Sequence, residues 1–149
     1  MKGIPMTRHQ AGRYAAKHPD GTQVPSAVAE AVADRLHDHA ISCQAAHEIA
    51  QSLGVPPLKV GIAIDLQEGR IRECQLGLFG HAPDPPPARQ ALTVPPHLQA
   101  SIKSAQVEKH LTCAKAWHIA KVHGMSRLLV GQACETLGIK ISKCQLGAF

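Results

Sequence analysis

"CQLGLFG" occupies residues 74–80, and "CQLGAF" occupies residues 144–149. A phrase this unusual, spelled twice, points to an internal duplication, because self-similarity at a fixed offset is the sequence signature of repeated structural units. Sliding the chain by seventy positions without a gap lays 24–79 over 94–149 and gives seventeen identical pairs in fifty-six. The pairs include Cys43/Cys113, Ala50/Ala120, Gly54/Gly124, Val60/Val130 and Gly61/Gly131. The chain therefore divides into a basic N-terminal arm (1–23), repeat 1 (24–79), a Pro-rich linker (80–93) and repeat 2 (94–149). Each repeat is short enough to be marginal alone, so the two are expected to pack on each other as an internal pseudo-dimer.

Within repeat 1, Pro25 precedes "SAVAEAVADRLHDHA", where Val28, Ala31, Val32 and Leu36 fall at helical spacing. "AIS" (40–42) reads as a short strand. "CQAAHEIAQSLG" places Ala46, Ile49, Ala50 and Leu53 on one helical face, with Gly54 as the stop. Pro57 suits the first turn of a third helix, "RIREC" alternates as a strand does, and "QLG" reads as a turn. The order is helix, strand, helix, turn, helix, strand, turn.

That order, with Ala50, Gly54 and Val60 in repeat 1 and Ala120, Gly124 and Val130 in repeat 2, resembles the winged-helix and helix-turn-helix superfamily. A small residue lets two helices cross closely, Gly accepts a left-handed turn, and Val packs the third helix onto the second. The resemblance covers both repeats but neither the arm nor the linker, and Cys-Gln-Leu-Gly-x-Phe is not part of the superfamily's general signature. It implies a mainly α fold with short β wings (α+β), built as two tandem winged-helix-like units, and a role as a DNA-binding transcriptional regulator.

In such a protein the third helix reads the major groove while basic residues around it hold phosphates. Repeat 1 suits that role poorly: four cations face seven acids, net −3. Repeat 2 has seven cations against Glu108 and Glu135, net +5, and the arm adds +3. The candidate contacts to double-stranded DNA are therefore Lys121, Ser126, Arg127, Gln132, Lys140 and Lys143, with Ser126 also placed to cap the third helix. The competing reading is a partner-recognition or accessory module that does not bind DNA and assists a larger enzyme, with thiol or metal dependence as an option, its opposite charges helping its halves dock. Gly61 and Gly131 then gain significance, because Gly inside a helix costs about 1 kcal/mol relative to Ala. Something must approach closely: a neighbouring helix of the pseudo-dimer first, a nucleic-acid backbone or protein partner second. The apolar Ile62 beside Gly61 favours a protein.

Five cysteines allow three uses. Cys43 and Cys113 open the second helices and Cys74 and Cys144 end the last strands, so Cys43 is expected near Cys74, and Cys113 near Cys144. They could be plain core residues, a thiol switch, or ligands of a metal ion together with His47 or His118. No close Cys-x-x-Cys pair supports the last use. No other cofactor is implied. Cys134 replaces Ile64 of the other repeat, which marks an apolar core position. In the repeated phrase, Leu76, Phe79, Leu146 and Phe149 are expected in the core of their own repeats. Loss of Phe149 should then unfold repeat 2.

Aromatic residues make up 3% of the chain, too few for a platform that stacks single-stranded bases. No Gly-rich phosphate loop, serine nucleophile elbow or His-Glu-x-x-His helix occurs, so no enzymatic activity is expected. The first residues lack an apolar secretory core and no window approaches eighteen unbroken apolar residues, which predicts a cytoplasmic protein with no membrane partner.

Overall fold

The computed structural model describes residues 13–81, 86–90 and 93–149. The expectations for residues 1–12 of the arm and for 82–85 and 91–92 of the linker lie outside them. The described chain is mainly helical with short strands. Repeat 1 forms α1 (Ser26–Arg35), β1 (Ala40–Ser42), α2 (Cys43–Leu53), α3 (Pro57–Leu66) and β2 (Arg70–Arg72). Repeat 2 forms α4 (Pro96–Ala105), β3 (His110–Thr112), α5 (Cys113–His123), α6 (Arg127–Leu137) and β4 (Lys140–Ser142). Short 3₁₀ turns at Tyr14–Lys17 and Pro87–Arg89 precede the repeats.

The same local devices build both copies. After α1 the chain reverses through Asp38 and His39, both left-handed (φ 51° and 61°), and His37 and Ala40 exchange backbone hydrogen bonds of 2.9 Å. Glu108 and Lys109 repeat the left-handed pair, at 51° and 65°. The side chain of Ser42 caps α2 by accepting from the Ala45 N–H at 3.0 Å, and Thr112 caps α5 by accepting from Lys115 at 3.2 Å. Gly54 (φ 65°) and Gly124 (φ 62°) close those helices in the left-handed conformation. Two further residues lead into α3 and α6, a helix–turn–helix connection in each repeat. Val60 and Val130 are fully buried, as the spacing predicted.

The strands correct one part of the winged expectation. β1 pairs with β2 in parallel, Ile41 opposite Ile71, and β3 pairs with β4 in parallel, Leu111 opposite Ile141. An antiparallel wing hairpin needs a returning strand, and none follows β2 or β4 among the described residues. Here α2 and α3 together form the crossover that any parallel pair requires.

The compact units do not coincide with the repeats. One takes in Met1–Arg72 together with Gln145–Phe149, and the other runs Glu73–Cys144. In the first unit, Val28, Val32, Ile41, Val60 and Ile64 form the core with Leu146, which is 1% exposed. In the second, Leu98, Ile102, Leu111, Val130 and Cys134 do so with Leu76, also 1% exposed. Each third helix is thus faced by the Cys-Gln-Leu-Gly-x-Phe segment of the opposite repeat.

This exchange explains Gly61 and Gly131. A Cβ on Gly61 would run into the backbone carbonyl of Leu146, and one on Gly131 into that of Leu76. The expected neighbour, a helix of the other half, is corrected: the close approach is made by the backbone of a turn inside the same unit. Both glycines are buried beneath it and present no surface to a partner. The assignment of Phe149 to the core of its own repeat is corrected likewise, since its segment groups with repeat 1 in the first unit.

In each unit the segment is also held from the N-terminal side. The Lys17 Nζ donates to the Gly147 carbonyl at 2.8 Å, and the Ala88 N–H donates to the Gly77 carbonyl at 3.0 Å. Lys17 belongs to the basic arm, yet its side chain is only 8% exposed and pairs with Asp65 at 3.2 Å. His18 Nε2 meets the same carboxylate oxygen at 2.8 Å. Glu68 accepts from the backbone N–H groups of Tyr14 and Ala15 at 2.6 and 3.0 Å. The end of the arm is therefore folded onto α3.

Candidate nucleic-acid interface

The six residues expected to contact DNA separate into two groups. Lys121 on α5, Lys140 on β4 and Lys143 just beyond it are exposed. Ser126 is exposed too, with its side-chain oxygen accepting from the Leu129 N–H at 3.1 Å as the cap of α6. The cap uses the oxygen as an acceptor and leaves the O–H as a donor.

Arg127 and Gln132 serve the fold. The Arg127 guanidinium lies over the Trp117 ring, 3.5 Å from its centroid, and donates to the Gln75 side chain at 2.5 Å. It thereby ties α6 to α5 and to the exchanged segment. Gln132 is 8% exposed, and its Nε2 donates to the Pro87 carbonyl at 3.2 Å and to Gln90 Oε1 at 3.4 Å. A buried amide with its donors occupied cannot reach a base edge, so the assignment of Gln132 as a reader is withdrawn. The sequence held a signal: Gln132 aligns with Ile62, an apolar residue in the other copy. The exposed residues of α6 are Leu129, Glu135 and Thr136.

Cys43 follows β1 directly and Cys74 lies two residues beyond β2, its parallel partner, and Cys113 and Cys144 stand in the same relation to β3 and β4. Cys74, Cys113 and Cys144 fall in one compact unit. Burial pushes the Cys74 thiol up, with a smaller push from nearby Cys144, against backbone hydrogen bonds that lower it. Burial alone raises the Cys134 thiol to about 12. Cys43 and Cys113 are buried at the starts of α2 and α5, and Cys144 is half-buried. His47 is half-buried on α2 and His118 is exposed on α5. Among the described residues no group of three or more His, Cys, Asp or Glu side chains could hold a metal ion. No helix there is long and apolar enough to cross a membrane.

Sequence reasoning missed the Lys17–Asp65–His18 cluster. Burial raises the Asp65 carboxyl above its ordinary range, opposed by hydrogen bonds and charge from His18 and Lys17. Its one visible signal is an acid inside the otherwise apolar "VGIAIDL" of α3.

The chain matches no family model, no curated protein sequence and no solved structure.

Proposed function

We propose that the protein is a DNA-binding regulator whose second unit contacts the duplex. The observation that carries this reading is the helix–turn–helix connection of α5 and α6 flanked by the exposed Lys121, Lys140 and Lys143. Exposed lysines hold phosphates and give affinity that falls with salt, while sequence is read by other groups. With Gln132 engaged inside the unit and Arg127 stacked on Trp117, α6 offers few base readers in this conformation. The lysines therefore do most of the work.

The test is fluorescence anisotropy of labelled duplex with wild type and a Lys121/Lys140/Lys143→Ala triple variant across a salt series. For every phosphate that the variant no longer neutralises, the log–log salt slope should flatten by about 0.9. A triple variant that binds like wild type at every salt concentration overturns the reading. Enrichment of a shared sequence from fragmented genomic DNA, persisting near physiological salt, would distinguish a regulator from a non-specific binder.

The second reading, a partner-recognition module, is favoured by one observation: α6 exposes Leu129, and Val107 and Val122 of the same unit are 63% and 67% exposed. Exposed aliphatic residues suit a protein surface better than a phosphate backbone. Ile62, the candidate partner contact of unit 1, is half-buried on α3.

A further inference from the structure

Between α4 and α5, unit 2 contains an open groove of about 430 Å³. Ile119, Val122 and Ala100 supply apolar surface, and Ser101, His118 and His123 supply polar groups. Ser101 Oγ and His123 Nε2 share a hydrogen bond of 2.8 Å, and the His97 ring stacks parallel to His123 at 6.2 Å between centroids. The imidazole orientation is thus fixed from two directions. An apolar groove with a few convergent polar groups, in this size range, is the usual form of a small-molecule site.

Comparison of the repeats shows how the residues at this place differ. At the corresponding place in unit 1, Arg35 Nη2 pairs with Glu48 Oε1 at 3.0 Å across α1 and α2. Seventy residues on, Arg35 becomes Ala105 and Glu48 becomes His118, and both replacements line the groove. The charge has changed as well. α1 and α2 carry Glu30, Asp34 and Glu48, whereas α4 and α5 contain no acid and carry Lys103, Lys115 and Lys121. Lys115 Nζ donates to the carbonyl of Ala105, a lining residue, at 3.4 Å, and a groove with a cation at its edge and no acidic side chain on its own helices favours an anion over a cationic guest.

We propose that the α4–α5 groove of unit 2 binds a small organic acid: a carboxylate held by Ser101, His118 and Lys115, with an apolar, ring-sized body against Ile119 and Val122. The site stands whether or not the protein binds DNA, because it uses neither α6 nor the β4 lysines. It also goes beyond that reading, since a ligand in this groove contacts two of the three helices of unit 2.

The test uses the full chain, ¹⁵N-labelled, titrated with benzoate as probe, with benzyl alcohol and inorganic phosphate as the apolar-only and anion-only controls. Benzoate should shift the amides around Ser101, Ile119 and Val122 saturably, with both controls weaker by about tenfold or more. An Ala105→Arg/His118→Glu double variant, which restores the pair of unit 1, should abolish the response. Val122→Glu, at a position already 67% exposed, should weaken it by about tenfold without disturbing the core. Absence of saturable shifts overturns the proposal. So does equal response to benzyl alcohol, which would mean an apolar crevice only, or to phosphate, which would mean general anion attraction. Undiminished benzoate binding by folded Val122→Glu places the acid elsewhere and overturns it too.

Discussion

Gly131 lies so close to the carbonyl of Leu76 that no side chain fits between them. The same is true of Gly61 and Leu146. In an ordinary helix Gly→Ala would stabilise by about 1 kcal/mol. Here the added methyl meets backbone, which cannot rotate away, and overpacking of this kind costs about 1–3 kcal/mol. Gly61→Ala and Gly131→Ala should each lower the urea midpoint, and an unchanged or raised midpoint would contradict the packing described.

Removal of residues 145–149 should damage the first unit. Leu146 leaves the core of α1–α3, and Lys17 no longer has the Gly147 carbonyl to donate to. Hydrogen exchange on the truncated protein should show weaker protection in α1, α2 and α3 before α4, α5 and α6. Weakening confined to repeat 2 would restore the expectation that each repeat carries its own closing segment.

The duplication, the helix order and the two glycine turns were legible because they depend on local patterns: apolar spacing, Pro at a first helical position, Gly at a stop. The exchanged segments were not. Identical copies of Cys-Gln-Leu-Gly fit identical slots, and repeat identity does not say which copy fills which slot. Helix faces were also only half readable. Gln132 looks like a groove reader in a single sequence, and only its alignment with Ile62 hints at burial. The parallel strand pairing was hidden for a different reason, since three-residue strands carry almost no register information.

Arg127→Ala should cost about 1–2 kcal/mol through removal of the ring stacking and the Gln75 bond. Trp117 is the only tryptophan, so its emission should change in the folded variant. Loss of DNA binding in this variant alone would therefore be ambiguous, and the exposed lysines make the cleaner test.

Asp65 gives a pH dependence of defined sign. Its folded pKa is raised above 3.8, chiefly by burial, so the folded state holds the proton more tightly than the unfolded chain does. The contribution is fully present below the unfolded value and is lost as pH rises through the folded one. Measured against Asp65→Asn, the relative stability of wild type should therefore fall as pH rises from below 3.8 through the raised folded value. A relative stability that rises over that window would show the carboxylate to be net stabilised by Lys17 and His18.

Cysteine alkylation should follow exposure and acidity. At mildly alkaline pH, half-buried Cys144 should react with iodoacetamide before Cys74, whose thiol is pushed up by burial, and well before Cys134, at about 12. Peptide mass spectrometry over a time course would show the order, and early labelling of Cys134 would indicate local opening of α6.

The exchanged segments bear on synthesis. Residues 1–72 emerge from the ribosome with the slot beside Gly61 empty, and the first segment able to fill it, 74–79, is the one that unit 2 holds in the folded protein. Until residues 145–149 follow, the nearer copy is the only one made, and any local closure on it competes with the final arrangement. Variants that strengthen the local closure should slow refolding without changing the final stability, a kinetic cost intrinsic to spelling the same phrase twice.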